Sequence, residues 1–404
     1  MRIALTANGP GEVAGWLRPL LRSLYERSPD LAAFVFLVPD DYASGFEARI
    51  VRETFPQAQV FEPGQYVRFA LGRPVEGTPE RVDLVQYFGG DLLHAARLHA
   101  RLKGRAATYK FSRRSYRRLF DRAYAVDERN VREFERWGTP PERIVRVGNL
   151  AVDGALLEAG LPPQAGTPHD GILFMPGSRA YEVANLIPFY FAAALRIRRE
   201  LPNVPLAFGI SPFTSRDAVR AAIEGGGHPR LFAQRGRLVT EEGCDYLTTT
   251  DEGERIPVLT AALAAAKHAR LVLTIPGTKT IELAVLGKPT ITITPLNAPE
   301  IVAINGPLTY LNRIPLVGDA LKRAAAVGVS HRYPFHTQPN MDAGASLVRE
   351  LHGTVTPGRV ARVAIECFED RDWIASSSER LAALYRDHQG AAERMASSLL
   401  ELAA

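Results

Sequence analysis

The chain alternates short apolar runs with longer amphipathic stretches along most of its length. Apolar runs at 2–7, 34–38 and 82–88 predict buried parallel strands, because both faces of a parallel sheet are covered by helices. Between the runs, apolar residues recur every three to four positions, as at 12–28, which predicts helices packed on the sheet. This alternation predicts an α/β fold with a doubly wound parallel sheet.

The pattern of strands and helices starts again after residues 160–169, a segment with three prolines and two glycines. We interpret this segment as a linker. With 404 residues, 46% of them apolar, the chain is long enough to bury two cores of ordinary size. The sequence therefore predicts a Rossmann-like domain at 1–160, a second one at 170–375, and a last helix within 376–404.

The turn after the apolar strand at 271–275 carries side chains suited to a nucleotide diphosphate. The strand breaks at Gly277, and the hydroxyls of Thr278 and Thr280 then lie in the first turn of a helix, whose free N–H groups and dipole favour an anion. Glu282, one turn further, is long enough to reach two vicinal hydroxyls, such as those of a ribose. An ordinary capped turn between strand and helix is the alternative.

A second turn of this kind follows the strand at 172–175. After Gly177, Ser178 is a natural N-cap, and Arg179 can bind a phosphate through two nitrogens. Glu182 lies in the helix that follows, and a simple capped turn is again the alternative. Two such turns can converge at the carboxyl edge of one parallel sheet, which predicts a shared pocket.

The motifs at 176–182 and 277–289 resemble those of lipid-A-disaccharide synthase and its relatives. The resemblance implies a GT-B glycosyltransferase, in which two Rossmann-like domains face a central cleft and the final helix packs back on the first domain. Such an enzyme transfers a sugar from a UDP-sugar to a membrane lipid in cell-envelope glycolipid synthesis. The implied donor site consists of Gly177, Ser178, Arg179, Glu182, Gly277, Thr278, Lys279, Thr280 and Glu282.

The first half of the chain departs from this family. Its Gly11-Glu12-x-x-Gly15 stretch matches, but only the second Asp of the family's Asp-x-Pro-Asp-x-Asn motif remains, as Asp91. Asn149 stands where the family has a histidine. We expect Asp91 to act as general base, with Glu12 in that role if Asp91 is only a helix N-cap. The predicted acceptor-side loops contain Asn8, Gly9, Gly11 and Asn149.

The net charge of +5 conceals a basic segment at 97–122, which has ten Lys or Arg and one acid. Aromatic residues are interleaved with the charges, a mixture that suits an anionic membrane surface. Nucleic acid would also be attracted, but no nucleic-acid-binding motif accompanies the segment, and a solvated helix face is a third interpretation. The predicted membrane-facing residues are Arg113, Arg114, Arg117 and Arg118.

No stretch approaches the ~20 apolar residues that span a membrane. We expect a cytoplasmic protein, peripherally associated with the membrane, whose partners are a nucleotide sugar and a lipid, with a homo-oligomer possible. No cofactor is predicted beyond the UDP-sugar donor, and no metal site. His331, His336 and His352 fall in a region whose role the sequence does not reveal.

Two other functions remain open. A UDP-sugar 2-epimerase would use the same fold and diphosphate pocket without a lipid acceptor, but it would leave the basic segment at 97–122 unexplained. A non-catalytic nucleotide-sugar-binding protein would account for the altered first half.

Overall fold

The computed structural model describes residues 1–40, 43–251, 253–298 and 334–404. The chain divides into two compact units: unit 1 is Met1–Leu157 with Asp387–Ala404, and unit 2 is Glu158–Arg386. Each unit has one sheet covered by helices, so the predicted pair of Rossmann-like α/β domains is confirmed.

Unit 1 contains a seven-stranded sheet in which every pairing is parallel, in the order β3-β2-β1-β4-β5-β6-β7. The strands are β1 Arg2–Ala7, β2 Ala32–Leu37, β3 Gln59–Phe61, β4 Leu84–Tyr87, β5 Arg105–Tyr109, β6 Arg122–Ala125 and β7 Ile144–Arg146. Ile3, Ala4 and Leu5 of the central strand β1 are fully buried, as expected for a strand covered on both faces.

Unit 2 contains an eight-stranded sheet in the order β10-β11-β12-β9-β8-β13-β14-β15. Its strands are β8 Ile172–Phe174, β9 Leu206–Gly209, β10 Arg237–Glu241, β11 Cys244–Thr248, β12 Arg255–Leu259, β13 Leu271–Thr274, β14 Thr290–Pro295 and β15 Arg349–Gly353. The strands β10, β11 and β12 pair antiparallel, and the other pairings are parallel. The sequence pattern missed this antiparallel extension, because β10 and β11 are only partly buried and lack a continuous apolar run.

The helices, in chain order, are α1 Pro10–Glu12, α2 Arg18–Arg27, α3 Glu47–Thr54, α4 Pro63–Ala70, α5 Leu92–Leu102, α6 Glu128–Arg136, α7 Leu150–Ala159, α8 Ala180–Glu200, α9 Arg216–Gly225, α10 Ala262–His268, α11 Thr278–Val285, α12 Gln338–Ala343, α13 Pro357–Glu369, α14 Arg371–Leu384 and α15 Ala391–Ala403. The buried helix α8 packs on α9 and α13 over the core of unit 2.

The final helix of the sequence prediction, at about 376–402, is two helices. Helix α14 belongs to unit 2, and α15 belongs to unit 1, where it packs on α2. Gly390, in the left-handed conformation, precedes α15. The carboxylate of Asp153 accepts the N–H groups of Gly390 (2.8 Å) and Ala392 (2.6 Å), which fixes the start of α15 within unit 1.

Both sheets reverse their strand order at one point. In unit 1 the reversal lies between β1 and β4, and in unit 2 it lies between β8 and β13. In open α/β sheets, ligands bind at such a switch point, beyond the carboxyl ends of the two strands. The turns that follow these four strands are therefore the places to look for a site.

Candidate functional site

The turn after β1 leads into an irregular helical start at the switch point of unit 1. Helix α1 is followed by a π-helical turn, Val13–Leu17, before α2 begins. The carbonyl of Gly9 accepts the N–H groups of both Glu12 and Val13 (3.1 Å each). Such π-turns inside helices occur frequently at functional sites, and this one was not visible in the sequence.

Glu12 places a carboxyl group in a desolvated position at this switch point. Burial raises the pKa of Glu12 to about 8, against the opposing effect of the Asn8 N–H, which donates to its Oε2 at 3.1 Å. A β-carbon on Gly89, in the turn after β4, would lie 1.6 Å from the same Oε2. A side chain at position 89 would therefore displace the Glu12 carboxyl from this position.

A cation and aromatic rings lie at the end of β5, next to this switch point. Lys110 has a left-handed backbone (φ 67°), and its ammonium lies 5.7 Å from the ring centroids of both Trp16 and Phe111. The charge of Lys110 lowers the pKa of Glu12, and the charge of Asp40 raises it. Sequence reasoning did not select Lys110, Asp40 or Gly89, because their proximity to Glu12 depends on the strand order.

Asp91 follows β4 and caps helix α5, where its Oδ1 accepts the N–H of Leu93 at 2.8 Å. This is the capping role that the sequence raised as an alternative, and the Asp91 side chain is exposed. A role as general base stays a prediction. Asn149 also caps its helix: its Oδ1 accepts the Ala151 N–H at 3.1 Å, and the residue is buried.

The switch point of unit 2 has two turns with one shared pattern, Pro-Gly-hydroxyl-base-x-x-Glu, at 176–182 and 276–282. The parallel pairing of β8 with β13 brings the turns side by side. Two hydrogen bonds tie the strand ends together: Thr274 Oγ1 donates to the Met175 carbonyl (3.0 Å), and Tyr190 Oη donates to the Thr274 carbonyl (2.7 Å). The predicted convergence of the two turns is thus present.

In the first turn, the carboxylate of Glu182 folds back onto the start of its own helix. Its Oε2 accepts the N–H groups of Ser178 and Arg179 (3.1 Å each), and its Oε1 lies 3.2 Å from Arg179 Nη1. A β-carbon on Gly177 (φ 99°) would lie 2.3 Å from Glu182 Oε2. Arg179, and not Ser178 as predicted, is the N-cap of α8, and Glu182 at the third helical position accepts the Arg179 N–H as in a capping box.

In the second turn, Glu282 makes a different contact. Helix α11 begins after Gly277, and the Thr280 hydroxyl donates to the Gly277 carbonyl at 2.7 Å. Glu282 is 5% exposed, and its Oε2 lies 2.6 Å from the Lys279 ammonium. Thr278, the first residue of α11, is exposed. This turn therefore presents a hydroxyl, a cation and a helix N-terminus, with a buried carboxylate behind them.

Comparisons with known proteins show the fold. No family model and no curated protein matches the sequence. A putative UDP-N-acetylglucosamine 2-epimerase from Listeria monocytogenes aligns with a TM-score of 0.57 at 13% identity, over 99% of this chain and 95% of that one. S. aureus MnaA, solved with UDP, aligns with a TM-score of 0.56 at 15% identity, over 99% and 97%.

A third structure, UDP-GlcNAc 2-epimerase from Neisseria meningitidis bound to UDP-GlcNAc, aligns with a TM-score of 0.53 at 10% identity, over 99% and 100% of the two chains. The predicted lipid-A-disaccharide synthase-like family and its glycosyltransferase activity are therefore wrong. The motifs behind that prediction lie on two turns between strand and helix at a switch point, which is a feature of the fold and not of one reaction.

The predictions of glycolipid synthesis and membrane association are also wrong. The basic segment at 97–122 is spread over α5, β5, β6 and the turns between them, and two of its aromatic residues, Tyr109 and Phe120, are core residues. Arg113, Arg114, Arg117 and Arg118 are exposed, as in the solvated-face interpretation. Among the described residues, no helix is long and apolar enough to cross a membrane.

Proposed function

We propose that this chain is a UDP-sugar 2-epimerase. The observation that carries the proposal is Glu12: a half-buried carboxyl group at the switch point of unit 1, whose pKa desolvation raises to about 8. The likeness of the whole chain to solved UDP-N-acetylglucosamine 2-epimerases supports it. The two turns at the switch point of unit 2 supply groups that suit a nucleotide diphosphate.

Unit 2 is assigned the nucleotide. In the turn at 276–282, the N-terminus of α11 and the Thr278 hydroxyl suit a phosphate, since helix N-termini favour anions. Lys279 contacts Glu282 in this structure. In the proposal, the Lys279 ammonium turns to the diphosphate, and the freed Glu282 carboxylate accepts hydrogen bonds from ribose hydroxyls. Arg179 adds a second cation from the neighbouring turn.

Unit 1 is assigned the proton transfer. Inverting carbon 2 of a UDP-sugar requires that the C2–H bond breaks and that a new one forms on the opposite face. The electron pair of the broken bond forms a C1=C2 double bond as the C1–O bond to UDP breaks, and UDP adds back at C1 when a proton returns to C2. A group that both accepts and donates protons near neutral pH suits this task, and a carboxyl with a pKa of about 8 is such a group. Lys110, which acts electrostatically on Glu12, favours its ionised form.

The test is proton exchange at C2. The purified protein is incubated in deuterium oxide with UDP-GlcNAc or with its C2 epimer, and the sugar signals are followed by proton NMR. We expect each substrate to yield the other and the C2 proton to be replaced by deuterium, because the returning proton comes from a group in exchange with solvent.

Two results would contradict the proposal. Tight binding of UDP-GlcNAc without C2 exchange would indicate a non-catalytic nucleotide-sugar-binding protein. Release of UDP without formation of the epimer would indicate another reaction at C1. UDP-glucose serves as a comparison that tests whether the acetamido group at C2 is required.

A further inference from the structure

Two histidines and a glutamate meet at the edge strand β15 of unit 2, away from the turns described above. Glu350 and His352 are two residues apart on β15 and so lie on the same face of the strand. His336 precedes helix α12. The ligand atoms of the three side chains all lie within 4.8 Å of one another, and the two imidazole centroids are 4.6 Å apart.

The Glu350 carboxylate is held in place by hydrogen bonds from the segment that precedes and starts α12. Its Oε1 accepts the Thr337 N–H (2.9 Å), the Thr337 hydroxyl (2.6 Å) and the Asn340 amide (2.7 Å). Its Oε2 accepts the His336 N–H at 2.9 Å. A carboxylate oxygen has about two acceptor positions, so Oε2 can still bind an ion. Hydrogen bonds of this kind orient carboxylates that ligate metals.

The two imidazoles supply nitrogen ligands of the kind that zinc accepts. Neutral imidazole is the form that ligates metals, because the ring then keeps a lone pair on one nitrogen.

We propose that His336, Glu350 and His352 bind one divalent transition-metal ion of the zinc class, which joins β15 to the start of α12. Two imidazoles and a carboxylate favour Zn²⁺ over Mg²⁺ or Ca²⁺, which prefer oxygen ligands. Tetrahedral ligands at ~2.1 Å from zinc lie about 3.4 Å apart, so the donors must approach by at most roughly 1.4 Å. Rotation of the two imidazole rings can supply this movement.

This proposal does not depend on the proposed function. The sequence predicted no metal site, because His336 and Glu350 are 14 positions apart and their proximity depends on the fold. His331, the third histidine of the region, lies outside the described residues. The role is structural: the ion adds a cross-link between an edge strand and the polypeptide that follows the residues at 299–333.

The test uses full-length, tag-free protein stripped of metal with a chelator and titrated with Zn²⁺ by calorimetry. We expect one ion per chain with micromolar or tighter affinity. Zinc should also raise the Tm, because a ligand that binds only the folded state stabilises it. Co²⁺ should give the visible absorption of a low-coordinate site with imidazole ligands.

The informative variant is the double substitution His336→Ala and His352→Ala, which leaves the Glu350 hydrogen bonds to Thr337 and Asn340 in place. It should lower zinc affinity at least about tenfold and abolish the Tm shift. The matched control is His169→Ala with His268→Ala. This pair has ring centroids 4.7 Å apart in the same unit and, among described residues, belongs to no group of three such ligands.

The control variant should bind zinc like wild type. Unchanged stoichiometric binding in the His336/His352 variant would overturn the proposal, and so would the absence of binding in wild type. Loss of binding in both double variants would assign the ion to general histidine content instead. Cooperative thermal unfolding of each metal-free variant, compared with that of metal-free wild type, verifies that the variants are folded.

Discussion

The two switch points are built in opposite ways, although each lies where the strand order of a Rossmann-like sheet reverses. In unit 1 the carboxyl group of Glu12 is half-buried, its pKa is raised to about 8, and Gly89 leaves space beside it. In unit 2 both buried glutamates are neighbours of cations, Glu182 of Arg179 and Glu282 of Lys279. Unit 1 thus favours a protonated carboxyl, whereas the glutamates of unit 2 are paired with cations.

The same fold can therefore hold groups of different chemistry at the switch point of its sheet. A carboxyl group whose pKa is raised mainly by desolvation suits proton transfer, and a paired carboxylate in a helical turn suits recognition of hydroxyls and phosphates. Within unit 2 the two turns differ again: Glu182 caps its own helix, whereas Glu282 contacts only the Lys279 side chain among the contacts described. A shared sequence pattern therefore does not guarantee a shared role.

The largest expected effect tests the proton-transfer half of the comparison. Glu12→Gln keeps the size and an acceptor oxygen for the Asn8 N–H but cannot exchange a proton. We expect C2 exchange of UDP-GlcNAc to fall by ~10²–10⁴-fold, the usual contribution of a general acid or base. Proton NMR in deuterium oxide measures it, and unchanged UDP affinity is the control. Full activity in this variant would remove Glu12 from the chemistry.

The same substitution also tests the raised pKa of Glu12 through the pH dependence of the free energy of unfolding. The folded Glu12 carboxyl holds its proton to about pH 8, whereas the unfolded one loses it near 4.5. Wild-type stability therefore declines as pH rises between these values, by at most ~5 kcal/mol, and Glu12→Gln lacks this decline. Urea denaturation at about pH 5 and about pH 8.5 measures the free energy of unfolding. Relative to wild type, the variant should be more stable at the higher pH than at the lower. An equal difference at both pH values would contradict the raised pKa.

The recognition half of the comparison is tested by Glu282→Ala. Loss of the carboxylate behind α11 should weaken UDP binding by ~10–100-fold, corresponding to about 1–3 kcal/mol for a charge-assisted hydrogen bond. Glu182→Ala, at the matching position of the other turn, should instead cost about 1–2 kcal/mol of stability through the lost helix cap. Calorimetry with UDP and thermal unfolding measure both. Equal effects of the two variants on UDP affinity would mean that the turns act alike.

The smallest effect is expected for Asp91→Asn. Asn and Asp cap helices about equally well, and the Asp91 side chain is exposed at the start of α5. We expect C2 exchange to change less than about threefold. A loss as large as that expected for Glu12→Gln would restore Asp91 to the role of general base.

Continuous apolar runs and helical periodicity report burial directly, so the two α/β units could be predicted from the sequence. It also located the turns at Gly177 and Gly277 and the loop that carries Glu12. It could not determine the strand order, because order depends on contacts between residues far apart in the chain. The partly buried strands β10 and β11 were missed for the same reason. They pair with each other, and β11 pairs with β12, so their place in the sheet depends on these pairings.

The surroundings of the candidate residues depend on contacts that form only in the folded chain. Whether a carboxyl keeps its proton depends on which groups surround it: Gly89 and Lys110 reach Glu12 from β4 and β5. The sequence resemblance was carried by the turns of unit 2, where the fold fixes glycine, hydroxyl and charge for geometric reasons common to several enzymes. The reaction depends instead on side chains brought together from separate strands, which local sequence does not record.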